Sequence, residues 1–214
     1  MKATRILYSP AMARARRAGI KTQTRRLVKP QPNARADLVV QPFADGRQHF
    51  AAPDPHADDL LLLVGDVPAC PYGQPGDLLL PVEPWRAPVE FDRAAPRDIP
   101  AGVAIWLEAN GAAPAGFGRY RHARFMPRHL AAERDEITAV RVERLQDISA
   151  EDAIAEGIEP ASVPGRFRIY GRATDGADMD TPRISYHSLW ESINGPDSWD
   201  ANPWVWVLSF RRLR

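Results

Sequence analysis

Prolines and glycines recur along the whole chain and limit the length of any helix or strand that it can form. The sequence contains 21 prolines and 14 glycines among 214 residues. Proline interrupts the hydrogen bonding of helices and central strands, and glycine weakens both, so this spacing favours short elements joined by many turns. A helical bundle is therefore not expected. The 44% of hydrophobic residues is nevertheless enough for a core.

Short strands outnumber helices in the pattern of apolar residues. Helices are predicted at residues 9–18, 149–157 and 181–193, each beginning at a Ser or Thr that can cap it. Strands are predicted at residues 22–28, 37–42, 47–50, 60–64, 78–85, 103–108, 137–145 and 202–210, the second and third joined by a hairpin turn at Asp45-Gly46. We therefore predict an α+β fold, a small mixed β-barrel with flanking helices. It forms one domain, residues 1–214, with loop insertions near residues 31–69, 86–118 and 158–180.

The most informative stretch is residues 19–26, GIKTQTRR, which follow a short basic helical segment. Ser9 is suited to cap that helix, Pro10 to its first position and Gly19 to the left-handed position after its end. The chain is therefore expected to leave a helix at Gly19 and to enter a strand near Thr22.

This corner gathers an amine, hydroxyls and two guanidinium groups in a few residues. A neutral lysine can activate a nearby hydroxyl by taking its proton, provided that burial or positive charge lowers the lysine pKa. Lys21 and Thr24 fit these roles if Lys21 still lies in the turn, because strand alternation would otherwise place them on opposite faces. Arg25 and Arg26 supply the positive charge. The alternative is a solvated basic edge strand that discourages pairing with other chains.

A single carboxylate, Glu83, lies on the predicted strand at residues 78–85, close to Trp85. Because Pro81 and Pro84 cannot donate ladder hydrogen bonds, this strand is expected at an edge or at a bulge. Glu83 is then either a functional carboxylate or an exposed edge charge. The run at residues 60–64 is purely apolar, and a buried strand is predicted there.

The basic residues are unevenly distributed, although the net charge is only +1. Residues 1–35 carry lysines and arginines but no acid, and residues 119–129 interleave arginine with aromatic side chains. Such stretches can bind phosphates and stack bases, but they also occur as ordinary solvated surface. A net charge near zero gives no overall attraction for nucleic acid.

Several classes of site have no signature in the sequence. Cys70 is the only cysteine, so no internal disulfide is possible and a reducing compartment is expected. No segment has a signal-peptide or membrane-spanning pattern, which predicts a cytoplasmic protein without membrane contact. Glycine-rich phosphate loops, paired zinc-binding cysteines and the esterase Gly-x-Ser-x-Gly pattern are missing, and the five histidines have no ligand spacing. No metal or cofactor is therefore predicted.

Three stretches together resemble the ASCH domain family of the PUA-like superfamily. They are residues 19–26, residues 70–77 (CPYGQPGD) leading to Glu83 and Trp85, and the tail at residues 189–207. Residues 140–148 and 156–158 also resemble the phage and prophage branch of that family. The resemblance covers a little under half of the chain and implies a PUA-like barrel.

The resemblance also implies a function that involves nucleosides or RNA. One bacterial branch of the family removes the acetyl group of N4-acetylcytidine with a Lys, a Thr three residues later and a Glu on a later strand. Here those roles would belong to Lys21 as base, Thr24 as nucleophile and Glu83 as proton donor. Contacts to the nucleoside or RNA would come from Arg25, Arg26, Tyr72, Trp85 and Arg128.

The sequence departs from the family around the acid. Relatives usually have an arginine before it and a threonine after it, where this chain has Val82 and Pro84. Three hypotheses follow: an amidohydrolase of an N4-acylated cytidine, a non-catalytic RNA-binding module or ribonuclease, and a phage morphogenesis or interaction protein. The sequence does not indicate an oligomeric state.

Overall fold

The structure is a computed structural model, and it describes residues 1–32, 38–42, 48–54, 56, 61–162, 164–170 and 181–213. The helices are α1 (Pro10–Arg17), α2 (Ala150–Ala155) and α3 (Pro182–Asn194). The strands are β1 (Ala3–Leu7), β2 (Gln23–Leu27), β3 (Val39–Pro42), β4 (Gln48–Pro53), β5 (Leu61–Asp66), β6 (Leu78–Val82), β7 (Trp85–Arg86), β8 (Trp106–Leu107), β9 (Asp135–Arg144) and β10 (Trp204–Arg212). This mixture of helices and several sheets confirms the α+β class.

The three helices begin where the sequence predicts. Ser9, Ser149 and Thr181 each accept a hydrogen bond from the backbone N–H three residues later, at 3.3, 3.0 and 3.2 Å. These bonds satisfy N–H groups that have no partner inside the helix. After α1, Gly19 takes a φ of +78°, a left-handed conformation that glycine adopts without steric cost.

The main sheet has five strands in the order β1-β6-β9-β10-β2. β1 runs parallel to β6, and the other neighbours are antiparallel. The first two strands of the chain thus form the two edges of the sheet, and α1 connects them. The longest strand pairing, between β9 and β10, runs from Trp204 opposite Arg144 to Arg212 opposite Asp135.

The main sheet is curled but not closed. Its five strands, laid flat, would hold the edge strands about 19 Å apart at the usual strand spacing. Instead, Arg26 on β2 donates a hydrogen bond from Nη2 to the carbonyl oxygen of Leu7 at the end of β1, at 2.7 Å. Among the described residues no backbone ladder joins these two strands. The main sheet is therefore open and curved, and no closed barrel is found among the described residues.

The insertion at residues 31–69 contains a second sheet, with strand order β3-β4-β5. The predicted hairpin is confirmed in its strands, because Val39 pairs with Ala51 and Val40 with Phe50. Its turn at residues 44–46 lies outside the described residues. Phe50 packs against Trp204 with ring centroids 5.1 Å apart, and this contact attaches the small sheet to the main one.

Three sequence predictions need correction. The strand at residues 61–66 exists, but it is exposed rather than buried, since Leu63 is 55% accessible at the free edge of the second sheet. The helical spacing of Tyr186, Leu189, Trp190 and Ile193 predicts that all four pack in the core, but Ile193 is 58% accessible. The strand predicted at residues 103–108 is reduced to β8, only two residues long.

The position of β6 also differs from the prediction, for a reason visible in its register. β6 lies inside the main sheet, not at its edge. Its pairing with β9 ends at Leu79, however, and Pro81 pairs only with Ile6 of β1. The missing N–H of Pro81 therefore leaves no gap in a ladder, since β6 is effectively an edge strand from that point onward.

Candidate active site

The helix-to-strand corner keeps Lys21 out of the strand. Its backbone N–H donates to Ala15 at 3.1 Å, which continues the end of α1, and the N–H of Thr22 donates to Ala155 at 2.8 Å. The ladder of β2 begins only at Gln23. Strand alternation therefore does not dictate the direction of the Lys21 side chain.

The Lys21 side chain is buried and paired. Its Nζ donates to a carboxylate oxygen and to the main-chain oxygen of Glu156, both at 2.7 Å, and the residue is 3% accessible. Burial lowers the pKa of Lys21, and the neighbouring Arg26 and Arg25 lower it as well, while Glu156 acts in the opposite direction. A lysine with a lowered pKa is the kind that can serve as a base.

Glu83 follows β6 and is 5% accessible. One carboxylate oxygen forms an ion pair with Arg17 of α1, and the other accepts a hydrogen bond from the N–H of Ala109 at 3.3 Å. Burial raises the pKa of Glu83, and Arg17 opposes that shift. The alternative of an exposed edge charge is thus excluded, and the shift has the direction that a proton donor needs.

Thr24 lies on β2 opposite Leu208 of β10 and is 2% accessible. Because side chains alternate along a strand, Thr24 shares a face with Arg26, whereas Arg25 points to the other face. Arg26 uses that shared face to reach Leu7 at the end of β1. Thr24 therefore points into the curl of the sheet.

Tyr8 is the common neighbour of these groups. Its ring centroid lies 5.6 Å from Nζ of Lys21 and 5.9 Å from Cζ of Arg26. Its backbone N–H donates to Val82, the residue before Glu83, at 2.9 Å. We call Tyr8, Lys21, Thr24, Arg26 and Glu83 the Tyr8 seam, because they border the line where the edges of the curled sheet approach each other. Of the three predicted catalytic residues, Lys21 contacts the Tyr8 ring, Glu83 follows the residue that bonds the Tyr8 backbone, and Lys21 and Glu83 have different ionic partners.

Arg25 has a different environment from Arg26. Its guanidinium is fully inaccessible and donates to Glu143, Asp152 and Glu156, the last of which also holds Lys21. Burial lowers the pKa of Arg25, but Glu156 and Glu143 hold it above the ordinary value. Arg25 therefore links β2, β9 and α2 and has no free donor directed at a ligand phosphate.

The other predicted contact residues are dispersed. Trp85 is 0% accessible, with the guanidinium of Arg121 5.4 Å from its ring, so neither face is open to a base. Tyr72 is half-buried against the main core. Arg128 is exposed and donates to the carbonyl oxygen of Ala3 at 2.9 Å.

The basic and aromatic segment at residues 119–129 does form an exposed surface. Tyr120 is 50% and Phe125 58% accessible, and Arg119, Arg124 and Arg128 are exposed beside them. Arg5 of β1 donates to the carbonyl oxygen of Met126 at 2.8 Å, which holds this segment against the edge strand that leads to Tyr8.

The CPYGQPGD motif is largely explained by the fold. Asp77 accepts hydrogen bonds from the N–H groups of Lys2 and Gln74 at 2.6 and 3.1 Å, and so holds the start of β1 beside β6. Gly73 has a φ of +129°, and a Cβ there would lie 2.9 Å from Asp77. Both residues, with Cys70 and Trp206, also line a cavity of about 720 Å³. None of the three predicted catalytic residues lines this cavity.

Three partners in and around the seam were not assigned from the sequence. Tyr8 is the common neighbour of the seam residues. Arg17 is the ionic partner of Glu83, and Glu156 is the ionic partner of Lys21. A Glu-Gly-Ile segment at residues 156–158 forms part of the family resemblance, which was the only signal for Glu156. Nothing in the local pattern distinguishes Tyr8 or Arg17 from neighbouring core and surface residues.

Comparison with known proteins does not assign the chain to a family. No family model, curated protein or solved structure matches it. In the described part of the chain no group of three or more His, Cys, Asp or Glu residues is arranged to hold a metal ion. None of the described helices combines the length and apolar character that a bilayer crossing requires.

Proposed function

We propose that the chain is an ASCH-type protein with a PUA-like fold, and that its Tyr8 seam hydrolyses the acyl amide of a modified cytidine such as N4-acetylcytidine. The curled five-stranded sheet supports the fold assignment, because it approaches the form of a small barrel. The substrate class comes from the resemblance of residues 19–26 and of Glu83 to the amidohydrolase branch of the family.

One observation carries the proposal. Burial within the same seam lowers the pKa of Lys21 and raises the pKa of Glu83. Two titratable groups whose environments drive their pKa values in these directions are suited to act as base and acid near neutral pH. The hydroxyl of Thr24, a buried residue of β2 three positions after Lys21, would supply the nucleophile.

The reaction has two stages. Neutral Lys21 takes the proton of Thr24 Oγ1 as that oxygen attacks the acyl carbon, and Glu83 protonates the N4 amine as the C–N bond breaks. Cytidine leaves, and the acyl group remains as an ester on Thr24. Water then attacks the ester, Glu83 regains its proton from that water, and Lys21 returns its proton to Thr24 as the free acid departs.

The direct test is hydrolysis of N4-acetylcytidine, followed by the ultraviolet absorbance of the acetylated base. Turnover by the wild type should be lost in Lys21→Ala, Glu83→Gln and Thr24→Val. Thr22→Val is the matched control, because Thr22 is exposed and two residues from Thr24. No turnover by the wild type, or equal loss in Thr22→Val and Thr24→Val, would contradict the proposed chemistry.

A second candidate function is sequence-tolerant RNA binding by the exposed segment at residues 119–129. It is favoured by the accessible rings of Tyr120 and Phe125 among arginines, since single-stranded nucleic acids bind by stacking on aromatic rings within a basic groove. The test is binding of a single-stranded RNA at increasing salt. Affinity should fall steeply with salt and be weakened by Phe125→Ala but not by Ile193→Ala, a control that also removes an exposed apolar side chain. Binding that is absent or independent of salt would exclude this function.

A further inference from the structure

The hydroxyl of Tyr8 is a buried polar group without a partner. Tyr8 is 5% accessible, and its hydroxyl oxygen forms no hydrogen bond with any described residue. Buried hydroxyls in proteins nearly always have a hydrogen-bond partner, because a group taken out of water without one is destabilising. An exception at the centre of a candidate site therefore calls for a functional explanation.

The charged groups near Tyr8 are already engaged with other partners. Arg16 forms a bidentate ion pair with Asp135, in which Nε and Nη2 donate to the two carboxylate oxygens at 2.6 and 2.5 Å. Lys21 is held by Glu156, and Arg26 by the carbonyl oxygen of Leu7. The phenol thus lies among four charged side chains and Glu156 without bonding to any of them, which leaves its donor available.

The phenol keeps its proton under ordinary conditions and can therefore serve as a hydrogen-bond donor. Burial is the main cause that raises the pKa of Tyr8 well above its usual value of 10, and the acidic neighbours Asp135 and Glu156 add to the shift. The O–H bond therefore persists throughout the pH range in which the protein would work, and the hydroxyl can donate a hydrogen bond to a ligand oxygen.

We propose that the Tyr8 hydroxyl donates a hydrogen bond to the acyl oxygen of the substrate amide, an assignment that rests on the proposed hydrolase function. When Thr24 attacks the acyl carbon, that oxygen becomes an oxyanion and requires a donor aimed at it. Lys21 and Glu83 are occupied with proton transfer, and Arg26 is bound to Leu7. The Tyr8 hydroxyl is buried and has no hydrogen-bond partner among the described residues, and Tyr8 is adjacent both to the base and to the residue before the acid.

The test compares Tyr8→Phe with Tyr170→Phe. Tyr170 lies outside the seam, and its hydroxyl accepts a hydrogen bond from the N–H of Glu159 at 3.1 Å. For Tyr8→Phe we expect a fall of about 100-fold in kcat for N4-acetylcytidine with a smaller rise in KM, and a urea midpoint that is unchanged or higher. For Tyr170→Phe we expect a lower midpoint and unchanged kcat. A kcat for Tyr8→Phe within about twofold of the wild type would overturn the assignment.

Binding measurements separate this inference from the proposed function. N4-ethylcytidine has no acyl oxygen, so Tyr8→Phe should bind it as the wild type does but should bind N4-acetylcytidine more weakly. If the wild type binds N4-acetylcytidine without turnover, the hydrolase proposal fails, and this difference in binding still decides the role of Tyr8. If the wild type neither binds nor hydrolyses N4-acetylcytidine, both proposals are overturned.

Discussion

Lys21 and Glu156 are 135 positions apart in the chain, yet Nζ of Lys21 contacts both the side chain and the main chain of Glu156. The pair joins the corner after α1 to the end of α2. Both side chains are almost completely buried, at 3% and 4% accessibility. Removing one member of a buried ion pair leaves the other charged group in a medium that cannot solvate it, and this is costly.

Glu156→Gln is expected to destabilise the protein by about 3 kcal/mol at pH 7. Burial holds the pKa of Lys21 below its ordinary value of 10.5, and loss of Glu156 should lower it further. Between that lowered pKa and 10.5 the unfolded chain binds more protons, so stability rises with pH in this window. The deficit in urea unfolding should therefore be smaller at pH 10 than at pH 7.

The control for this variant is Glu159→Gln. Glu159 pairs with Arg168, whose side chain is 55% accessible, and an exposed pair of this kind contributes little. We expect a change of at most about 0.5 kcal/mol with no dependence on pH. Equal effects of the two substitutions would mean that the Lys21 pair is not the source of the stability.

Arg17→Gln should change the response of stability to mild acid. Glu83 has a pKa raised above its ordinary value of 4.5, and loss of the opposing charge of Arg17 should raise it further. The folded state then holds a proton on Glu83 that the unfolded state releases. The stability that this proton contributes is fully present below pH 4.5 and is lost as the pH rises through the folded-state pKa of Glu83. The urea midpoint of the variant should decline over a wider pH range than that of the wild type. Arg14→Gln, an exposed arginine on the same helix, should leave the profile unchanged.

Asp135→Asn is expected to cost about 3–5 kcal/mol. Asp135 is fully buried at the start of β9 and accepts two hydrogen bonds from Arg16, whose buried guanidinium would keep only its ion pair with the partly exposed Glu133. Glu136→Gln changes the next residue, whose partner Arg211 is 67% accessible, and should cost less than about 1 kcal/mol. Denaturant unfolding of the two variants measures the difference. Similar losses would contradict the buried role of Asp135.

Gly157→Ala should disturb the site more than the backbone conformation alone explains. Gly157 has a φ of +93°, and a Cβ there would lie 2.9 Å from Cβ of Lys21. Gly19 has a similar φ of +78° but open space around it, so Gly19→Ala measures the conformational cost without the clash. We expect about 1 kcal/mol for Gly19→Ala and a clearly larger loss for Gly157→Ala. If the two variants lose the same amount of stability, then Lys21 has room to move and Gly157 does not fix the position of the corner.

The local features of this fold were predictable from sequence because they depend on short-range bonds. The caps at Ser9, Ser149 and Thr181 and the left-handed Gly19 each involve residues within a few positions of one another. The corner that keeps Lys21 outside β2 is local only in part, because Lys21 donates to Ala15 but Thr22 donates to the distant Ala155 of α2. The caps and Gly19, by contrast, need no distant partner. Such features follow from backbone hydrogen-bonding rules alone.

The long-range features were not predictable, since they depend on which elements meet. An apolar run is equally consistent with a buried strand and with the exposed edge formed by Leu61, Leu62 and Leu63. The burial of Arg25 among three carboxylates requires that β2, β9 and α2 converge. No local pattern indicates that these elements converge. Their convergence makes Arg25 an internal cross-link instead of the ligand contact that the sequence predicts.

The bond between Arg26 and Leu7 gives the molecule a built-in line of weakness. Elsewhere in the main sheet, separating two neighbouring strands means breaking a run of backbone hydrogen bonds, as in the nine paired positions of β9 and β10. Along the line between β1 and β2 the described residues form no backbone ladder, and the two sides meet through the bond from Arg26 to Leu7 and the contacts of Arg26 and Lys21 with the Tyr8 ring. The curled sheet is therefore held together along this line by side-chain contacts and not by a backbone ladder. Backbone ladders join all the other neighbouring strands of the main sheet. The line without a ladder is therefore where the sheet can open, and its most enclosed polar side chains, Lys21 and Thr24, lie beside it.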